Sequence, residues 1–135
     1  MRAVVTQALD PFCASAERRI AIDGPDVGLS PKQALALSMA LHELATNAVK
    51  YGALSNESGR VEVHWRVVSE VLQLTWIEEG GPTVTPPTRK GFGSRLIERN
   101  LANELNGETH LEYLPKGVVA TITTPLEIIG ELLSQ

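Results

Sequence analysis

One stretch, residues 30–54 (SPKQALALSMALHELATNAVKYGAL), limits the possible folds more than any other. Ser30 suits an N-cap, Pro31 the first helical position, and Gln33 completes a capping box with Ser30. Leu37, Leu41, Leu44 and Ala48 recur at helical spacing and predict a long helix with an apolar stripe facing a core. The helix should end near Tyr51, with Gly52 available for a left-handed cap. Glu43, Asn47 and Lys50 also recur at i, i+4 and i+7, about 100° around the helix from the stripe. A carboxylate, an amide and an ammonium at the rim of a buried face can surround a polyphosphate and a divalent cation. The same residues can equally form a half-exposed polar flank, which is their commoner use.

The rest of the chain predicts a sheet for this helix to cover. Val4, Val5, Ala8, Leu9 and Phe12 have helical spacing over residues 2–12, and Pro11 should limit that helix. Residues 19–22 are a short strand candidate, with Ile20 and Ile22 on one face, followed by a turn at 23–26. Residues 61–68 alternate, placing Val61, Val63, Trp65 and Val67 on one side. Ser69 and Glu70 make a tight connection into a strand over 71–78, whose Leu72, Leu74, Trp76 and Glu78 share a face. An acid closing an apolar face is a local inconsistency of the kind that marks functional sites. Gly80, Gly81 and Pro82 break the strand, and residues 83–90 form a loop. A helix is predicted over 94–105, then two strands, 108–113 and 118–124, joined by a turn. Residues 126–135 are expected to be a weak helix or a tail, leaving 1–125 as one domain. The connections imply an α+β fold, a two-layer sandwich whose mixed, mostly antiparallel sheet is covered on one face by helices.

At 135 residues the chain is one domain with room for a core. A formal charge of −4 argues against a nucleic-acid or anionic-membrane binder. No apolar run approaches the ~20 residues of a membrane span. The single cysteine, Cys13, excludes a disulfide framework. The expectation is a cytoplasmic domain without direct membrane contact.

Two further motifs add chemistry to the helix flank. Glu78 and Glu79 precede Gly80, Gly81 and Pro82 at a strand end. A carboxylate there can accept a hydrogen bond from an exocyclic amine such as that of adenine, and the glycines leave room for a flat ring. Gly91, Phe92 and Gly93 open a helix, where close backbone approach and free amides attract anions. Each motif alone also fits an ordinary turn. Together they supply a purine site, a metal–phosphate site and a phosphate cradle.

HELATNAVKYGALS (residues 42–55), WIEEGGP (76–82) and GFGSRLIE (91–98) resemble the N, G1 and G2 boxes of sensor histidine kinase ATP-binding domains. More narrowly they resemble the HWE subfamily, named for a histidine in the N box and a Trp-x-Glu in the G1 box, here His42, Trp76 and Glu78. The resemblance covers about residues 19–125. It implies the Bergerat-type ATP-binding fold, with ATP and Mg²⁺ as ligands. By that likeness Asn47 coordinates the metal and Glu43 orients water or the metal shell. Lys50 and Tyr51 line the phosphate and ribose side. Glu78 reads adenine, Gly80 borders the base, Gly91 and Gly93 contact phosphates, and Leu96 closes the pocket. Residues 83–90 become the lid over ATP. A late-strand threonine that often assists adenine binding has no clear counterpart, since Val119 falls there with Thr121 nearby.

The resemblance further implies that the γ-phosphate is presented to a histidine on a separate phosphoacceptor and dimerisation domain, and reaches a response regulator from there. This chain shows no such helix pair, so it looks like an isolated catalytic domain. His42 is expected to touch another element or buttress the site. His64 and His110 have no assigned role, and Trp76 is expected to be a structural wall. Two rival readings are an anti-sigma-type serine kinase and a nucleotide-sensing module that transfers no phosphate.

Overall fold

The computed structural model describes residues 1–13, 19–82 and 107–126. The loop expected at 83–90, the helix at 94–105 with Gly91, Gly93 and Leu96, and the tail at 127–135 lie outside the described residues.

The capping box predicted at Ser30 forms. The Ser30 hydroxyl accepts from the Gln33 amide at 3.2 Å, and Gln33 Oε1 accepts from the Ser30 amide at 3.2 Å. The long helix that follows, Pro31–Lys50, runs for 20 residues and buries Leu37, Leu41, Leu44 and Ala48 as the stripe requires. Gln33 is itself 1% exposed, and its Nε2 donates to the Pro125 carbonyl at 3.0 Å, pinning the start of this helix to the end of the last strand.

In chain order the described elements are α1 (Arg2–Cys13), β1 (Ile20–Asp23), α2 (Pro31–Lys50), β2 (Arg60–Val68), β3 (Val71–Glu79), β4 (Glu108–Leu114) and β5 (Gly117–Pro125). The five strands form one sheet in the order β1-β2-β3-β5-β4. β1 pairs parallel with β2, in the register Ile20↔Val61, and the other pairings are antiparallel. The expected mixed, mostly antiparallel sheet is therefore present. One core holds Val5, Leu9, Leu37 and Leu41 from the helices with Val63, Trp65, Leu72, Leu74, Trp76 and Ile122 from the sheet.

Two local details depart from the sequence. Pro11 lies inside α1, which continues to Cys13. A proline removes one helical hydrogen bond, and Phe12 beyond it still packs against the core. Val67 is 38% exposed although it alternates with buried neighbours; β1 pairs with β2 only as far as His64, so this end of β2 is a sheet edge. The β2–β3 connection is as tight as predicted, with Val68 opposite Val71. It places Ser69 and Glu70 at φ 51° and 65°, a left-handed pair that matches the twist of a two-residue hairpin.

Trp65 ties the N-terminal layer together. Its Nε1 donates to the Pro25 carbonyl at 2.8 Å, and the Arg2 guanidinium lies 5.7 Å from its ring centroid. Among the described residues no helix is long and apolar enough to cross a membrane.

Candidate functional site

β3 carries its apolar face, Leu72, Leu74 and Trp76, toward the helices, and Glu78 continues that face to the strand's end. The carboxylate is consequently buried, at 4% exposure. It is not left without partners: Oε1 accepts from the Ala53 amide at 3.0 Å, and Oε2 accepts from the Trp76 indole Nε1 at 2.9 Å. Burial pushes the Glu78 pKa above its ordinary value, while the two hydrogen bonds, which favour the ionised form, pull against that rise.

The bond to Ala53 joins the end of β3 to the segment that leaves α2. The last helical turn is closed by Tyr51 N–H to the Asn47 carbonyl at 2.8 Å and Gly52 N–H to the Ala48 carbonyl at 3.0 Å. Tyr51 is the C-cap, at φ −132°. Gly52 does not take the left-handed conformation expected of it. It is required by crowding instead, because a Cβ there would overlap Glu78 Oε1. The glycine gives the carboxylate the space in which it meets the backbone.

The acid–glycine turn packs on the same segment. A Cβ at Gly81 would fall 2.6 Å from Ala53 Cα, so the two backbones touch. Gly80 adopts φ 75°, and its carbonyl accepts from Ser58 Oγ at 3.2 Å. Arg19 holds the far side of the loop: Nε donates to the Gly59 carbonyl at 2.7 Å and Nη2 to the carbonyls of Ala53, at 2.9 Å, and Asn56. Sequence pattern alone does not mark Arg19 or Gly59 as part of the site, and it marks Gly52 only as a helix cap. A basic residue beside a short strand and isolated glycines carry no periodic signal. The indole–carboxylate bond had one available signal, the placement of Trp76 and Glu78 two residues apart on one strand face.

On α2, Glu43 and Asn47 are half-buried while Lys50 and Tyr51 are exposed, the gradient expected at the rim of an apolar stripe. The Asn47 side chain makes no hydrogen bond to the described residues, which leaves its amide oxygen available. The C-terminal end of α2 and the turn at Glu78 and Gly80 are thus brought together. Gly91, Gly93 and Leu96 lie outside the described residues. Among those residues no group of three or more His, Cys, Asp or Glu side chains is arranged to hold a metal.

The remaining candidates fall away from this junction. His42 is exposed and stacks edge-on against Phe12 of α1, with centroids 5.3 Å apart, so contact with another element is its observed use. His64 lies on the sheet face turned away from the helices, opposite Thr75. His110 is exposed and lies 3.1 Å from Glu112. Val119 and Thr121 alternate with the buried Ala120 and Ile122, so they too occupy the outer face. Trp76 is wholly buried, as expected of a wall.

A capped long helix on a mixed five-stranded sheet, with an acid–glycine turn pressed against the loop that leaves the helix, is the fold of the histidine kinase catalytic domain. The histidine kinase domain of the Erythrobacter litoralis EL346 blue-light-activated histidine kinase superposes over 91% of this chain and 61% of its own with a TM-score of 0.71, at 21% identity. The catalytic domain of histidine kinase ThkA gives 0.72 over 93% of both chains at 13% identity. In sequence, the chain is a homologue of one segment of the blue-light-activated histidine kinases. It is 42% identical over 123 residues to the protein of that name in Brucella anthropi and 39% identical over 127 residues to the one in Brucella ovis. These alignments cover 88% and 91% of this chain but only 25% and 26% of the relatives, so it spans about a quarter of their length. No family profile matches the chain.

Proposed function

We propose that this chain is the ATP-binding catalytic domain of an HWE-type sensor histidine kinase. The observation that carries the proposal is the Glu78–Ala53 hydrogen bond of 3.0 Å. It draws a buried acid and its glycine turn against the loop leaving the helix that bears Glu43, Asn47 and Lys50. An adenine base beside Glu78 and Gly80 would have its phosphates directed along that helix.

Each residue then has a task. Glu78 offers an acceptor to the exocyclic amine of adenine, using lone pairs beyond those engaged by Ala53 and Trp76. Gly80 leaves room for the base. Lys50 and Tyr51, both exposed at the helix end, line the phosphates and ribose. The amide oxygen of Asn47 suits a Mg²⁺ ion, which is commonly held by one or two protein oxygens together with waters and substrate phosphates rather than by a protein cage. Glu43, one turn earlier, would orient a water beside such an ion. When bound, Mg²⁺ supplies charge neutralisation at the phosphates. By the family resemblance, Gly91 and Gly93 would contribute backbone amides to the phosphates, Leu96 would close the pocket, and residues 83–90 would be the lid. The phosphoryl group passes to a histidine on a separate phosphoacceptor and dimerisation domain and then to a response regulator. Dependence on ATP and on such a regulator makes the cytoplasm its compartment. A complex of ThkA with the response regulator TrrA is among similar solved structures, at 13% identity.

Calorimetry of the chain with ATP, in the presence and absence of Mg²⁺, tests the proposal. Mg²⁺-dependent binding by the wild type and its loss in Asn47→Ala is the expected result. Equal Mg·ATP binding by the two proteins would reject the site. Transfer to an added phosphoacceptor domain, giving an acid-labile product, separates a histidine kinase from a serine kinase and from a module that only senses nucleotide.

A further inference from the structure

The geometry points to Trp76 as the positioning residue that sets base specificity: its indole N–H holds the Glu78 carboxylate in the orientation that reads the exocyclic amine. This rests on the adenine-reading role proposed for Glu78 and adds a residue that acts through it.

Trp76 and Glu78 lie two residues apart on the buried face of β3. A wholly buried Trp needs a partner for its N–H, and here the partner is Oε2 of Glu78 at 2.9 Å. The other oxygen is held from α2's exit loop by the Ala53 amide at 3.0 Å. Two donors, one from the strand and one from the loop, therefore fix the carboxylate plane with no freedom left for rotation. A glutamate has a flexible side chain, and its ordering would otherwise have to accompany nucleotide binding. The indole fixes it beforehand. The donors also oppose the rise in pKa that burial imposes on this carboxyl. Both favour the carboxylate, which accepts from an amine, over the carboxylic acid, which would donate to a carbonyl. Adenine presents an amine at this edge and guanine a carbonyl, so a bond that favours the ionised form of Glu78 also favours adenine.

The groups surrounding Glu78 do not duplicate this role. Arg60 and Glu62 of β2 and Glu79 of β3 lie on the opposite face of the sheet. Lys50 and Tyr51 are exposed at the end of α2, with Glu43 two turns back. Lys116 sits in the exposed β4–β5 turn. Arg19 reaches the Ala53 carbonyl, beyond the peptide that Glu78 holds.

The test replaces the N–H without removing the ring. In the full 135-residue chain, Trp76→Phe and a Trp76→benzothienylalanine variant, which keeps the bicyclic volume, are titrated with Mg·ATP, Mg·GTP and inorganic triphosphate from pH 5 to 8. The expected outcome is a fall of about three- to tenfold in the ATP-over-GTP preference, with triphosphate affinity unchanged. Loss of one donor to the ionised form raises the Glu78 pKa, so the acid-side decline of ATP affinity begins at a higher pH than in the wild type. In a Glu78→Gln background the same replacement moves no pH profile. An unchanged preference and pH profile in the folded benzothienylalanine variant would overturn the inference while leaving the nucleotide site standing. Wild-type chain that binds no ATP would overturn both, and the wild-type titration reports that separately.

Discussion

The guanidinium of Arg19 donates to the carbonyl of Ala53 at 2.9 Å, on the peptide unit next to the one whose N–H is taken by Glu78. One residue just beyond the long helix is thus held by a guanidinium through its C=O and by a carboxyl group through its N–H. The guanidinium and the carboxyl group hold the same stretch of backbone through neighbouring peptide units.

Arg19→Ala should therefore unlatch the loop 53–59 from the sheet edge. It removes donors to Gly59, Ala53 and Asn56 carbonyls at a half-buried position. The expected cost is about 2 kcal/mol, read as a lower urea midpoint at unchanged m-value. Arg19→Lys should recover only part, because an ammonium lacks the planar fork that reaches several carbonyls at once.

Gly52→Ala should be destabilising for a specific reason, the overlap of its Cβ with Glu78 Oε1. An expected loss of about 1–3 kcal/mol follows from overpacking. The same substitution in a Glu78→Ala background should cost less, since the atom it collides with is gone. Equal costs in the two backgrounds, measured by chemical denaturation, would place the strain elsewhere.

Asn47→Ala should leave the melting temperature within about 1 °C of wild type while removing Mg²⁺-dependent nucleotide affinity. The side chain makes no hydrogen bond to the described residues, so its deletion leaves no buried partner stranded. A large drop in melting temperature would show a structural role instead.

The pH dependence of stability carries the signature of Glu78. Its pKa is raised in the folded chain, so folding takes up a proton in the window between the ordinary carboxylate value of 4.5 and the higher folded value. The contribution of Glu78 to stability is complete below 4.5 and is lost as pH rises through the folded pKa. Relative to Glu78→Gln, wild type should gain stability as pH falls from 7 and level off below that window. A difference that is flat with pH would mean that the carboxylate titrates normally.

Glu70→Gly should stabilise the chain by about 0.5 kcal/mol, the left-handed cost relieved less the entropy of glycine. Glu70 is exposed at φ 65° and contributes its carbonyl, not its side chain, to the bond from Leu126. Thermal unfolding would measure the gain.

How much of this was readable in advance follows the range of the signals. The capping box at Ser30, the stripe through Leu37 and Ala48, and the alternation ending in Glu78 are local patterns, and each appears in the structure as its spacing requires. The parallel placement of β1 beside β2 is set by packing across the whole of α2, and nothing in residues 19–22 announces it. Gly52 shows the limit most clearly. Its position after a helix suggested a dihedral requirement, but its neighbour in space comes from another strand. Arg19 has no sequence signal for the same reason, because its acceptors are carbonyls, which every residue carries. On the candidate site, the positions of Asn47 and Glu78 follow from pattern, and the indole bond has the i, i+2 spacing on one strand as its signal, whereas the Ala53 amide that also holds Glu78 comes from a loop distant in sequence and has none.

The unequal reach of the sheet's pairings bears on how the chain assembles. The β2–β3 hairpin closes across Ser69 and Glu70 alone, and it can zip early, whereas the Ile20↔Val61 register waits until the intervening helix has docked. On that order β1 would join a hairpin already formed, and Arg19 would reach its carbonyls only at that step. The loop 53–59, which Arg19 holds, would then become rigid together with the N-terminal edge of the sheet.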